Sequence, residues 1–219
     1  MIRLKKHAKP AVLAENEQAW TEEYLRYRND PDSAPAASRF RYRNPEIKTV
    51  ILGESYKKCV YCESRVTHVY RGETDHILPV KHRPELIYDW QNLAFVCKRC
   101  NEEKLDYYEP QEPLINPFVD DPADHMTFFG PLPLHVPGDD KGYRTIETLY
   151  LKRPELFERR VEALNRVQSL LDKWATKPEG RTKELVKAEI LELAAPDAEY
   201  AATVRAFLFQ AVGWKDFPE

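Results

Sequence analysis

The sequence predicts an α+β protein: a compact metal-binding middle, preceded by one helix and followed by a small helical bundle. Three observations carry that prediction. All four cysteines fall into two C-x-x-C pairs, a stretch rich in proline and acid follows the second pair, and a sustained three- and four-residue apolar period begins after Pro154. With 219 residues and 42% hydrophobic content, the chain can bury a proper core as one domain or two small ones.

Residues 13–28 are rich in helix formers, with Trp20, Tyr24 and Tyr27 at helical spacing, and "NDPDSAPAAS" ends them with turn and breaker residues. Residues 1–45 therefore read as an N-terminal helix and a basic linker, with nine Lys/Arg against six acids. Residues 46–110 hold the metal-binding unit. Residues 111–150 read as an irregular, acidic, Pro-rich connector, because breakers in "EPLINPFVDDPADHMTFFGPLPLHVPGDD" exclude a long helix. In residues 151–219, Phe157, Val161, Leu164, Val167, Leu171 and Trp174 mark an amphipathic helix. Two more helices are expected over residues 182–194 and 197–212, the last with Asp197 as N-cap after Pro196.

Charge and hydropathy narrow the function classes. A net charge of −3, from 33 basic and 36 acidic residues, is not that of a chain that binds nucleic acid avidly by itself, so any phosphate contact must come from local patches. No apolar run approaches the roughly 20 residues needed to span a bilayer, and "MIRLKKHAKP" has no apolar block like that of a signal peptide. A cytoplasmic location is expected. In that reducing compartment the pairs Cys59/Cys62 and Cys97/Cys100 favour metal over disulfides.

Four thiolates suit a tetrahedral zinc ion; four buried or redox-active cysteines without metal are the alternative. If all four ligate, no position remains for water, so this zinc holds the fold and the chemistry lies elsewhere. Between and after the pairs stand Asp75-His76, Asn92 in "DWQNLAFVC" and Asn101 in "CKRCNEEK". A carboxylate and an amide oxygen are hard ligands that suit magnesium or manganese, and a histidine can take a proton from water near neutral pH.

In this order, "CVYC … DHILP … WQNLAFVCKRCNEEK" resembles the HNH nuclease motif in its zinc-stabilised form. The resemblance implies a ββα-metal core and a metal-dependent endonuclease that hydrolyses phosphodiesters, DNA favoured and RNA possible. It implies His76 as general base, Asp75 and Asn101 as ligands of a catalytic magnesium or manganese ion, and Asn92 as a brace for the loop that positions His76. Lys104, Lys98 and Arg99 are candidates for offsetting charge on the phosphate. Arg41 is a further substrate candidate, because in an extended "RFRYRN" the arginines 39, 41 and 43 would share one face. Glu73, two before Asp75, is not expected to reach the metal, even through water; His68 and His82 flank the motif but fit no motif position, and His125 in "DDPADH" reads as a hydrogen-bonded loop residue and not a ligand.

The lack of a Gly-Gly loop, the stretch "PVKHRPELIYDWQNL", the N-terminal "LKKHAKPAVL" and the later "INPFVDDPADHMTF … GYRTIETLYL" resemble more narrowly the PtuB nuclease subunits of Septu and retron anti-phage systems. That resemblance implies a PtuA-like ATPase partner. The other reading from the residues is a zinc-stabilised nucleic-acid-binding or adaptor subunit whose HNH-like site is degenerate.

Overall fold

A computed structural model describes residues 1–68 and 70–218. The described residues group into two units, one formed by residues 4–60, 66–68 and 70–113, the other by residues 1–3, 61–65 and 114–218.

The first unit opens with helix α1 (Ala11–Asn29), whose Leu13 is fully buried and whose Trp20 and Tyr24 pack on the same core. Arginines 41 and 43 lie in a short 3-10 turn, Arg41–Arg43, and not in an extended strand. The arginine-and-aromatic alternation therefore does not place them on one face: Arg41 pairs with Glu23 at 2.6 Å and lies over the Trp20 ring. Helix α2 (Pro45–Glu54) follows, started by Pro45 at its first turn and by Asn44, whose side chain accepts from Glu46 N at 2.8 Å. Its Ile47 and Ile51 join Ile87, Tyr88, Trp90, Leu93 and Phe95 in the core.

Strands β1 (Glu73–His76) and β2 (Leu93–Val96) pair antiparallel, with Asp75 opposite Ala94 and His76 opposite Leu93. All four β2 residues are buried, which is why this strand reads as a continuous apolar run. Helix α3 (Lys98–Lys104) leaves β2 directly, capped by Cys97, whose sulfur accepts from Cys100 N at 3.3 Å. Together they make the ββα arrangement that the motif implies.

In the second unit the stretch expected to be wholly irregular contains an antiparallel hairpin, β3 (Met126–Phe129) and β4 (Leu132–His135), turning at Gly130 with φ 55°. Helix α4 (Asp140–Thr148) follows, capped by the Asp139 carboxylate. Helix α5 (Pro154–Thr176) buries Leu156, Arg160, Leu164, Val167, Leu170 and Leu171, so Leu156 takes the inward place expected of Phe157, which is 40% exposed. Helices α6 (Arg181–Glu192) and α7 (Ala201–Val212) complete a bundle around Val167, Ile190, Val204 and Leu208. The last helix starts later than expected and Asp197 does not cap it. Arg65 holds the preceding turn instead, through the Asp197 carbonyl at 2.8 Å and the Glu199 carboxylate at 2.5 Å. No helix among the described residues is long and apolar enough to cross a membrane.

Candidate active site and metal centre

Cys59, Cys62, Cys97 and Cys100 are buried, carry no disulfide, and offer ligand atoms all within 4.8 Å of one another. Thiolates about 2.3 Å from a zinc ion stand about 3.8 Å apart in a tetrahedron, so this donor set fits one structural zinc. The second pair sits at the β2–α3 junction, and Val60 of the first donates its N–H to Phe95 O of β2 at 3.1 Å. A metal held here would fix the strand and helix that carry the motif.

Two residues shape the ends of β1. Gly72 has φ 63°, and a Cβ there would stand 2.1 Å from the Phe95 ring, so only glycine admits this close approach. At the far end Ile77 N donates to Asn92 O at 2.8 Å. The Asn92 side chain then accepts from Leu78 N at 2.7 Å and donates to Leu78 O at 3.0 Å and Leu86 O at 3.2 Å. Asn92 thus clamps both ends of the loop that leaves His76.

His76 is 8% exposed, its ring edge packed against Tyr42 with centroids 4.7 Å apart. Its Nε2 lies 2.9 Å from Ile87 O. A carbonyl only accepts, so this bond keeps the proton on Nε2 and leaves Nδ1 as the basic nitrogen of the neutral ring. Burial pushes the imidazole below its ordinary pKa, with Lys104 acting in the same direction, while the Ile87 bond and Asp75 oppose them. The neutral, proton-accepting form is favoured.

Asp75 and Asn101 line one open cleft of about 1030 Å³ together with His76 and Glu73. Asp75 Oδ2 is buried and receives no hydrogen bond, although Lys104 Nζ stands 3.0 Å away as an ion-pair partner. The Lys104 hydrogen bond goes to His76 O, also at 3.0 Å. Asn101 Nδ2 donates to Glu73 Oε2 at 2.6 Å, which leaves the amide oxygen as its coordinating atom. The Asp75 carboxylate and the Asn101 amide oxygen together are a hard donor set that fits magnesium or manganese.

The cations expected at the phosphate stand elsewhere. Lys104 is 2% exposed and serves Asp75 and the His76 carbonyl from beneath. Lys98 and Arg99 run along α3 as partners of Glu102 and Glu103, and neither lines the cleft. The cations that do line it are Arg43, Lys48 and Arg71, accompanied by Tyr42, His68 and Tyr70. Arg43 stood in the stretch already singled out, but Lys48 and Arg71 are brought in by tertiary folding. Glu73 is within reach of strand logic: two residues from Asp75 on β1, it shares that residue's face. It also accepts from Tyr70 Oη at 2.7 Å and thereby pushes the phenol above its ordinary pKa.

Residues 59–106 match the HNH endonuclease family. A Septu protein PtuB of Bacillus thuringiensis is 32% identical over 233 residues, covering 95% of this chain and 82% of the relative. A Septu protein PtuB of Bacillus mycoides (strain KBAB4) is 25% identical over 202 residues, covering 77% of this chain and 68% of the relative.

Proposed function

Because this chain belongs to the PtuB family of Septu proteins and its HNH endonuclease domain makes it a nuclease, we propose that it hydrolyses phosphodiesters of DNA, with RNA as the second substrate, as the effector of an anti-phage complex in the cytoplasm. The observation that carries the reading is the joint placement of Asp75, His76 and Asn101 on one cleft.

In this scheme His76 Nδ1 takes the proton of the attacking water, and the Nε2–H bond to Ile87 O holds the ring in the required tautomer. Asn92 and Lys104 do not touch substrate; they set the loop after His76 and its carbonyl. Arg43, Lys48 and Arg71 take the phosphate contacts in place of Lys104, Arg99 and Arg41. A divalent cation held by Asp75 and Asn101 would supply Lewis-acid stabilisation of the phosphate charge. The four cysteines would hold a structural zinc, which with four thiolate ligands would support the fold and take no part in the reaction.

The PtuB relationship also supports a PtuA-like ATPase as partner. A net charge of −3 supplies no general attraction to a polyanion, which suits an enzyme whose partner delivers its substrate. The test is cleavage of supercoiled plasmid and of total RNA by the purified chain with magnesium or manganese, with and without the ATPase of the same system, beside His76→Ala. Plasmid loss with wild type alone is expected. Equal loss with the His76→Ala protein would contradict the scheme.

A further inference from the structure

Asn101 and Lys104 are three residues apart on α3 and share one side of it, while Glu73 and Asp75 are two apart on β1 and share one face of the strand. The two pairs meet as parallel rungs: Asn101 with Glu73 at 2.6 Å, Lys104 with Asp75 at 3.0 Å. In the first rung both Glu73 oxygens are engaged, Oε1 accepting from Tyr70 Oη at 2.7 Å and Oε2 from Asn101 Nδ2. A carboxylate held in this way is well placed to orient a neighbour that ligates a cation.

We propose that Glu73 is a positioning residue for the catalytic cation: by accepting from Asn101 Nδ2 it fixes the amide plane and presents Oδ1, the only acceptor atom of that side chain, to the ion shared with Asp75. The inference rests on the assignment of Asp75 and Asn101 as ligands made above. Without Glu73 the amide can rotate or flip, and its NH2 group, which cannot coordinate, competes for the same place. Tyr70 steadies Glu73 from its other oxygen. Partners that orient ligands in this way are worth about 10-fold to 100-fold in metal affinity.

The readout is the dissociation constant of manganese from the zinc-loaded full chain, followed by the electron paramagnetic resonance signal of free manganese, with cleavage measured in parallel. Glu73→Gln separates orientation from charge. Its amide oxygen can accept from Asn101 Nδ2, and its NH2 can donate to Tyr70 Oη, so both contacts survive without the negative charge. Glu73→Ala is expected to weaken manganese binding at least 10-fold with zinc content unchanged, and Glu73→Gln to stay within about 3-fold of wild type, well short of that loss. If Glu73→Gln loses as much as Glu73→Ala, the carboxylate acts by charge or direct ligation and the positioning role is overturned. Unchanged affinity in Glu73→Ala overturns it as well. Asp75→Ala serves as the control: if it also binds manganese like wild type, the ligand assignment itself has failed, and the Glu73 role falls with it.

Discussion

Replacing Asn92 by alanine tests how the loop after His76 is held. The side chain is 4% exposed and makes three hydrogen bonds, to Leu78 N, Leu78 O and Leu86 O. At about 1 kcal/mol net for each bond, Asn92→Ala should cost about 3 kcal/mol. For a chain of this size that is a fall in melting temperature of roughly 6–12 °C. Trp20 and Trp90, which belong to the same core, report it by fluorescence. Asn92→Asp is a sharper probe. It keeps the acceptor for Leu78 N but turns a carboxylate oxygen towards two carbonyls, which raises the folded pKa of the introduced group. A raised pKa makes the folded state relatively more stable at low pH, so the Asn92→Asp protein should regain stability as pH falls through that value. A melting temperature within about 2 °C of wild type for Asn92→Ala, a third or less of the expected fall, together with full cleavage, would refute the clamp.

Three further outcomes follow from the same geometry. Gly72→Ala should destabilise by about 2 kcal/mol or more in chemical denaturation, because its Cβ would enter the Phe95 ring at a φ of 63°; a neutral effect would mean that strand and ring shift freely. Lys104→Met removes the donor to His76 O and the cation beside Asp75, and should lower stability by about 2–3 kcal/mol with loss of cleavage; a variant as stable and active as wild type would exclude its supporting role. Cys97→Ser should lower zinc content and unfold the β2–α3 junction by hydrogen exchange, since serine can still cap α3 but one thiolate is lost from the four-cysteine set; full protection of that junction would contradict a structural metal.

The motif was legible because its chemistry needs particular residue types in a particular order. Two C-x-x-C pairs around Asp75-His76 and Asn92, with Asn101 directly after the second, allow few arrangements, and the ββα core with its clustered cysteines follows. The long amphipathic helix was legible from its period, yet its buried stripe includes Arg160, which no apolar pattern reveals. That guanidinium is 2% exposed and donates to Leu151 O at 2.8 Å, bonds that only the tertiary fold supplies. The β3–β4 hairpin was hidden by its prolines: Pro133 lies within β4, where a two-stranded ribbon tolerates it at an edge. Arg43, Lys48 and Arg71 reach the cleft from separate segments, so their spacing in the chain carries no sign of their meeting. Asp197 preceded a helical pattern in the right way, but Arg65 claims its backbone and moves the helix start.

The division of labour between two metals is the claim on which the rest depends. Zinc-replete chain, freed of other divalent ions, should be titrated with magnesium while plasmid cleavage and zinc content are followed together. The account predicts no cleavage at the start with one zinc retained per chain, cleavage that rises with magnesium, and none at any magnesium level for His76→Ala. Cleavage by the zinc-only protein, or undiminished cleavage by His76→Ala, would contradict it.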